Sequence, residues 1–329
     1  MNAPVKFSII IPVKEINGYV RETVSYVLRL NRTDWELLIV PNAEERSEWD
    51  DPRISVIASG KVGPGLKRDM AAQTAEGEIL VFLDDDSYPK EDLLDVAEKH
   101  FADPGVAALG GPALTPPGNG FWQRVSGTVF LSKFSGGAPE RYVPVGEPRE
   151  TDDWPSVNLM VRKADFAAVG GFDSAFWPGE DTKFCLDLIK KTGKKILYVP
   201  QMIVWHHRRP SLIAHLKQVG GYGLHRGFFA KTYPGTSLRP AYFVPSGFLA
   251  FCLFSLLIPF MPSGLKLLFS AGWLLYVIAL MKALLDFMKY EAFPVAFCGL
   301  GYVFCTHLVY GARFVQGLVF TRRLVSRLR

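Results

Sequence analysis

The stretch Ile79-Leu80-Val81-Phe82-Leu83-Asp84-Asp85-Asp86 decides how this chain folds. Its apolar run is continuous rather than alternating, so it reads as a strand buried on both faces of a parallel sheet. The polar end then projects from the carboxyl edge of that sheet, where open α/β folds place their ligands. Three carboxylates at one point repel each other and raise each other's pKa unless a cation is shared among them. Hard divalent ions accept such oxygen ligands and commonly hold a phosphate as well. The triplet is therefore a candidate metal–diphosphate site. A second reading is an acidic helix N-terminus, because Pro89, Glu91 and Asp92 follow and suit a first helical turn.

On the N-terminal side, Phe7 to Val13 is an apolar strand run, and Gly18 to Leu30 has helical spacing. Glu36 to Val40 and Ile54 to Ala58 read as further strands, and Leu66 to Ala75 as a helix ended by Gly77. Strand and helix alternate, so a parallel sheet with right-handed crossovers is the economical topology. Met1 to Lys6 runs straight into a strand pattern, so no signal peptide is expected. On the C-terminal side, Gly110 to Thr151 is rich in Gly and Pro and lacks periodicity, as a binding loop or lid would. Asn158 to Arg162 is another strand, Gly179 to Lys191 another helix, and Lys195 to Pro200 with Ile203 to Trp205 complete a soluble part.

Three apolar segments follow, roughly Tyr242 to Met261, Leu265 to Leu285 and Phe293 to Leu318. Each approaches the ~20 residues that cross a bilayer core. The first two carry only Lys266 and Lys282 and read as a helical hairpin around Pro262-Ser263-Gly264, whereas the third contains His307 and Arg313. Basic residues favour the cytoplasmic side, so the stretch before Tyr242 and the arginine tail belong on one face, which requires an even number of crossings. Whether the third segment crosses is left open. Ser211 to Tyr233 mixes Leu216, Phe228 and Phe229 with His215, Lys217 and Arg226, as a helix docked at the membrane interface would. An ordinary amphipathic helix of the soluble part is the alternative. The formal net charge of +5 comes from local clusters and does not point to nucleic acid. The four cysteines, Cys185, Cys252, Cys298 and Cys305, form no CxxC pair and read as reduced.

Two more stretches carry chemistry. Gly179-Glu180-Asp181 opens a helical pattern, and a carboxylate there is stabilised as an anion by free N–H groups. It could take a proton from a hydroxyl, or simply cap the helix. Val204-Trp205-His206-His207-Arg208-Arg209 ends a strand. An imidazole there could complete a metal shell and an arginine could grip phosphate, while a plain surface basic cluster is the alternative.

Together these pieces resemble the family 2 glycosyltransferases over roughly Phe7 to His206. "FSIIIPVKE" is similar to that family's first strand, and "GLKRDMAAQTAEGEILVFLDDD" to its segment leading into the DxD motif. "GGFDSAFWPGEDTKFCLDL" resembles the stretch bearing its base, and "ILYVPQMIVWHH" its closing strand and histidine. The resemblance implies an α/β GT-A fold, Rossmann-like with a mostly parallel sheet, followed by transmembrane or interfacial helices. The expected organisation is a catalytic domain over 1–210, an interfacial or acceptor segment over 211–240, membrane helices over 241–320 and a basic tail over 321–329. The apolar tail resembles the membrane-anchored bacterial branch that builds envelope glycans and lipid-linked sugars.

Carried over by position, the resemblance implies Asp181 as general base with Glu180 orienting it. Asp84 and Asp86 match the DxD acids, with Asp84, Asp86 and His206 on a divalent metal (Mn²⁺ or Mg²⁺) and His207 as the alternative ligand. Pro12, Glu15, Asn42, Arg68, Asp84 and Asp85 fall on the donor side, and Asn158, Trp154, Arg208 and Gln218 on the acceptor side. The implied reaction is an inverting transfer from a UDP- or GDP-linked sugar to a lipid-linked or glycan acceptor, possible acceptors including a polyprenyl phosphate. Membrane lipids are the other implied partner, with the catalytic domain on the cytoplasmic face of a bacterial inner membrane. The family's paired acids after the second strand are replaced here by Pro41-Asn42-Ala43-Glu44, and no QxxRW signature follows the base, which argues against a processive synthase. A nucleotidyltransferase would carry a Gly-rich basic loop where Pro12-Val13-Lys14-Glu15 stands. A non-catalytic membrane scaffold would have no need of the four acidic and imidazole groups together.

Overall fold

The computed structural model describes residues 5–172 and 176–324. Asp173 of the motif above and the tail beyond Leu324 lie outside them. In chain order the elements begin with β1 (Phe7–Pro12), α1 (Gly18–Val27), β2 (Trp35–Val40), β3 (Ile54–Val56), α2 (Pro64–Thr74) and β4 (Ile79–Leu83). Next come β5 (Ser87–Pro89), α3 (Leu93–Phe101), β6 (Val106–Gly110), β7 (Ala113–Leu114), α4 (Phe121–Thr128) and β8 (Arg149–Thr151). They continue with β9 (Asn158–Arg162), α5 (Lys163–Val169), α6 (Glu180–Thr192), β10 (Lys195–Tyr198) and β11 (Val204–His206). The remainder is helical: α7 (Leu212–Thr232), α8 (Pro234–Ser237), α9 (Pro240–Ser255), α10 (Ser263–Phe287) and α11 (Phe293–Val315). The described residues form two compact units, residues 5–116 with 143–207, and residues 117–142 with 208–324.

The first unit is built on an eight-stranded sheet of order β3-β2-β1-β4-β9-β6-β10-β8. The pairs β3/β2, β2/β1, β1/β4 and β6/β10 are parallel. β9 runs antiparallel between β4 and β6, and β8 antiparallel at the edge. The sheet is thus mostly parallel rather than wholly so. Both β1 and β4 are buried along their whole length because the pleat sends alternate residues into two cores. Ile9, Ile11, Val81 and Leu83 enter one, and Ile10, Leu80 and Phe82 the other. Emptying such a site, as in Phe82→Ala, typically costs ~3–5 kcal/mol. A small second sheet, β5-β11-β7, sits at the carboxyl end of β4. The aspartate triplet therefore leads into strand β5, not into a helix, and α3 starts only after Asp92, whose side chain makes no capping bond.

The Gly/Pro-rich span expected to be a loop contains regular structure. Residues 117–142 form α4 and two short 3₁₀ turns, and they pack within the helical unit. Propensity could not show this, because tertiary contacts supply the stability. Arg124 ion-pairs with Glu291, Ser132 donates to Asp286 (2.8 Å), and the backbone oxygen of Ser135 lies 3.0 Å from His307 Nε2. His215 of α7 lies between Ser126 (2.8 Å) and Thr306 (2.9 Å), and burial pushes its imidazole down to about 4.

α11 lies at the centre, in contact with α4, α7, α9 and α10. α7 approaches it backbone to backbone: a Cβ on Gly227 would lie 2.0 Å from Phe314 O, and one on Gly317 2.0 Å from Leu224 O. Among the described residues, α10 and the helical stretch Phe293–Phe320 are long and apolar enough to cross a membrane. α9 is shorter than its apolar segment, since Pro259 and Pro262 confine the chain beyond Leu256 to a 3₁₀ turn.

Candidate functional site

The chemistry gathers at the carboxyl end of β4, in the first unit. Asp84 follows the last residue of the strand, and its backbone N–H donates to Ser87 Oγ (3.1 Å), whose hydroxyl donates back to Asp84 O (2.9 Å). This turn carries Asp86 to β11, where the N–H of His207 donates to Asp86 O (2.9 Å) and His206 Nε2 stands 3.0 Å from Asp86 Oδ1. Asp84, Asp86 and His206 each offer a ligand atom, all within 4.8 Å of one another. Two carboxylates and one imidazole are a donor set that suits a divalent cation. Strand alternation turns the next residue away: His207 Nε2 lies 2.8 Å from Glu22. Burial first, and then the charges of Asp86 and Asp84, push Asp85 up to about 6.

Arg68 of α2 ties this corner to α6. Only 2% exposed, it donates from Nη2 to Asp84 Oδ1 (2.6 Å) and from Nη1 to Glu180 Oε1 (3.3 Å), with Phe172 stacked 5.5 Å from its guanidinium. Its Nε is buried and lacks a partner among the described residues. Burial raises the Glu180 carboxyl well above its ordinary range; the Asp181 charge adds to this and Arg68 opposes it. Asp181 is half-buried in the first turn of α6, accepting from its neighbour Thr182 N (2.7 Å) and from Ser156 N (3.4 Å). A metal-type triad, a buried guanidinium and a helix-terminal carboxylate thus meet along one sheet edge.

The family model described as glycosyl transferase family group 2 matches residues 79–305, from β4 into α11. The chain belongs to that family. It is a glycosyltransferase, and its fold is of the GT-A type. A solved structure of the mannosyltransferase PcManGT from Pyrobaculum calidifontis, in complex with GDP-Man and Mn²⁺, is similar with a TM-score of 0.55 at 15% identity, covering 96% of this chain and 89% of that one. Agreement at that identity speaks for the fold. GalNAc-T7 with UDP, GalNAc and Mn²⁺ is a more distant neighbour, with a TM-score of 0.48 and 16% identity, covering 72% of this chain and 52% of the other. Among curated proteins, poly(ribitol-phosphate) beta-N-acetylglucosaminyltransferase TarS of Staphylococcus aureus, strains Mu50 / ATCC 700699 and MW2, is 28% identical over 113 residues, 30% of this chain. The match spans 20% of the length of those relatives.

Of the residues expected on the donor side, this glycosyltransferase places Asp84, Asp85 and Arg68 together. Arg68 meets the carboxylates of Asp84 and Glu180 rather than an open surface. Pro12 is buried, Glu15 is exposed, and Asn42 is half-buried with its backbone N–H on Lys14 O (3.1 Å). The residues expected on the acceptor side fall in both units. Trp154 is 1% exposed, stacks on Tyr198 and donates to Gly111 O (3.0 Å), while Asn158 is fully buried and donates to Met202 O (2.7 Å). The Trp154 indole and the Asn158 amide nitrogen thus meet backbone carbonyls, while Asn158 Oδ1 is buried without a partner among the described residues. Arg208 and Gln218 belong to the helical unit. Arg208 is buried with its guanidinium 5.0 Å from the Tyr142 ring, and the Gln218 amide oxygen, once oriented by its network, faces Arg209 (3.1 Å) and Tyr222 (3.2 Å).

Three residues escaped sequence reading. Lys67, next to Arg68, is buried and donates to Val13 O and Val40 O, so it clamps the ends of β1 and β2; burial pushes its ammonium down to about 8. Glu45 accepts from Ile16 N (3.1 Å) and fixes the loop after β1. Asp153, buried below α6, accepts from Thr182 Oγ1 (3.3 Å). A lysine beside the recognised arginine and an acidic pair before Trp154 were the available signals.

Proposed function

We propose that this glycosyltransferase moves a sugar, with inversion, from a UDP- or GDP-linked donor to a hydroxyl of a membrane-associated, polyprenyl-linked acceptor in bacterial envelope glycan synthesis. The observation that carries the reading is the convergence of Asp84, Asp86 and His206 within 4.8 Å, joined through Arg68 to the helix that bears Asp181. The complex of the similar PcManGT structure with GDP-Man and Mn²⁺, and the poly(ribitol-phosphate) substrate named for TarS, support donor class and setting.

Asp84, Asp86 and His206 would hold a divalent ion, Mn²⁺ or Mg²⁺, which when bound supplies Lewis-acid stabilisation of the diphosphate leaving group. Arg68 fixes Asp84 in place, and the turn closed by Ser87 fixes Asp86 relative to β11. Asp181 lies in the first turn of α6, where the helix dipole favours negative charge. Asp181 takes the proton of the acceptor hydroxyl as that oxygen bonds to the anomeric carbon. The bond from this carbon to the diphosphate oxygen breaks, and its electron pair leaves with the nucleoside diphosphate. Placement of base and acceptor in one geometry supplies much of the acceleration. The apolar helices would hold the enzyme in the inner membrane with the sheet unit in the cytoplasm. The test is turnover of UDP- and GDP-sugars by membranes carrying the enzyme. Release of nucleoside diphosphate from one donor is expected, and none from any donor would refute the reading.

A further inference from the structure

Length and apolarity single out α10 and the stretch from Phe293 to Phe320 as membrane-crossing helices. Their surroundings do not agree with that pairing. Only 11% of the apolar window of α10 is buried, against 39% for α11. α11 meets α9 in the first half of that helix, at Pro245 and Ser246, and touches α10, but it is otherwise enclosed by α4 and α7, which the chain reaches before the hairpin. Its first half takes α4, through Thr128 against Gly299 and Arg124 with Glu291. Its middle binds polar groups of the same provenance: Thr306 meets His215, and His307 meets Ser135 O. Its second half takes α7, which runs parallel to it, Gly220 facing Val309, Gly223 facing Tyr310 and Gly227 facing Phe314.

α7 cannot share a bilayer crossing at reasonable cost. It carries Lys217, Arg226 and Lys231 and begins six residues after His206 of β11. Each lysine or arginine placed at mid-membrane carries a large insertion penalty. An α11 that crossed would draw this helix in with it, since their backbones interlock at Gly227 and Gly317.

The α9–α10 hairpin has the opposite character. From Leu253 to Ile278 no residue is buried, and Phe260 near its tip is 87% exposed. Lys266 and Lys282 bound the apolar part of α10. The helix rises about 24 Å between them, and two lysines that snorkel to opposite surfaces extend this to the ~30 Å of a hydrocarbon core. α9 has 16 residues and rises about 24 Å; the 3₁₀ turn Ile258–Phe260 carries the chain farther in the same apolar segment.

We infer that the membrane is crossed twice, by α9 with its 3₁₀ extension and by α10, while α11 stays on the side from which α7 and residues 117–142 arrive. The partner of the exposed hairpin is the acyl core of a bilayer, with Lys282 and Lys289 at one headgroup layer and Lys266 at the other. This even count returns Arg322 and Arg323 to the side of Arg226 and Arg239, as the positive-inside rule requires.

The inference rests on the membrane attachment proposed above. Its test places single cysteines at Ser263, Lys289 and Arg322, all exposed, in a chain whose four native cysteines are replaced by alanine. A membrane-impermeant maleimide is applied to right-side-out and inverted vesicles, and retention of donor turnover shows that each variant is folded. Position 263 is expected to label only in right-side-out vesicles, and 289 and 322 only in inverted ones. Labelling of 322 from outside means that α11 crosses and overturns the inference. Labelling of 289 from outside, or of 263 from inside, or no labelling of 263 from either face, overturns it as well. Carbonate extraction keeps the two questions apart: a chain released to the supernatant refutes attachment itself, whereas a wrong labelling pattern in the pellet refutes only this topology.

Discussion

Replacing Arg68 by methionine should unfold the catalytic corner before it alters anything else. The guanidinium is 2% exposed and serves two carboxylates, Asp84 at 2.6 Å and Glu180 at 3.3 Å. Removing one partner of a buried pair typically costs ~3–5 kcal/mol, because a charge is left without compensation. Glu180 bears that cost, as its side chain is 6% exposed. Asp84 adds little, since its side chain is 33% exposed and water replaces the lost contact. Two effects reduce the loss. Glu180, already raised by burial, can take up a proton. The orphaned Arg68 Nε also disappears, which returns about 1 kcal/mol. A net loss of ~2–4 kcal/mol remains, or roughly 4–16 °C in apparent melting temperature at ~2–4 °C per kcal/mol for a domain of this class. Adding Glu180→Gln removes the stranded charge and should restore more than half of the shift. Melting followed by tryptophan fluorescence at fixed lipid or detergent reads both variants. A shift below ~2 °C for Arg68→Met, or a double variant whose loss equals the sum of the single losses, would refute the reasoning.

Asp181→Asn should lower transfer by ~10²–10⁴-fold while nucleoside diphosphate affinity is kept, and near-normal turnover would remove Asp181 from the role of base. His215 is neutral when folded, with a pKa depressed to about 4 against ~6.5 unfolded, so its contribution is complete above pH 6.5 and is lost as pH falls toward 4. The full amplitude is about 3 kcal/mol, and His215→Gln should flatten the melting temperature between pH 7 and 4.5; an unchanged slope would contradict the assignment. Gly227→Val introduces a side chain where a Cβ already lies 2.0 Å from Phe314 O, so α7 and α11 must separate. The variant should aggregate or melt several degrees lower on size-exclusion and fluorescence assays, and wild-type behaviour would show that the helices do not meet as described.

The triplet was legible because a continuous apolar strand and three adjacent carboxylates leave few alternatives in an α/β chain. The structure then removed the helix-cap reading by inserting β5 directly after it. Other features depended on contacts that no local pattern records. β9 has a strand composition in either direction, and only its partners β4 and β6 make it antiparallel. α4 is hidden among glycines and prolines and gains its stability from α11. The burial of Trp154 and Asn158, expected on the acceptor side, was not legible either: the indole N–H and the amide nitrogen meet backbone oxygens contributed by distant parts of the chain. The choice between His206 and His207 also needed the fold, because register across β5 and β11 decides which ring meets Asp86.

The most direct test of the account is calorimetric titration of UDP and GDP into the wild-type enzyme and Asp86→Ala, with Mn²⁺ and with a chelator. One nucleoside diphosphate is predicted to bind the wild type only when Mn²⁺ is present, and to bind Asp86→Ala at least tenfold more weakly. Equal affinity with and without the metal, or in the variant, would contradict a donor site built on Asp84, Asp86 and His206.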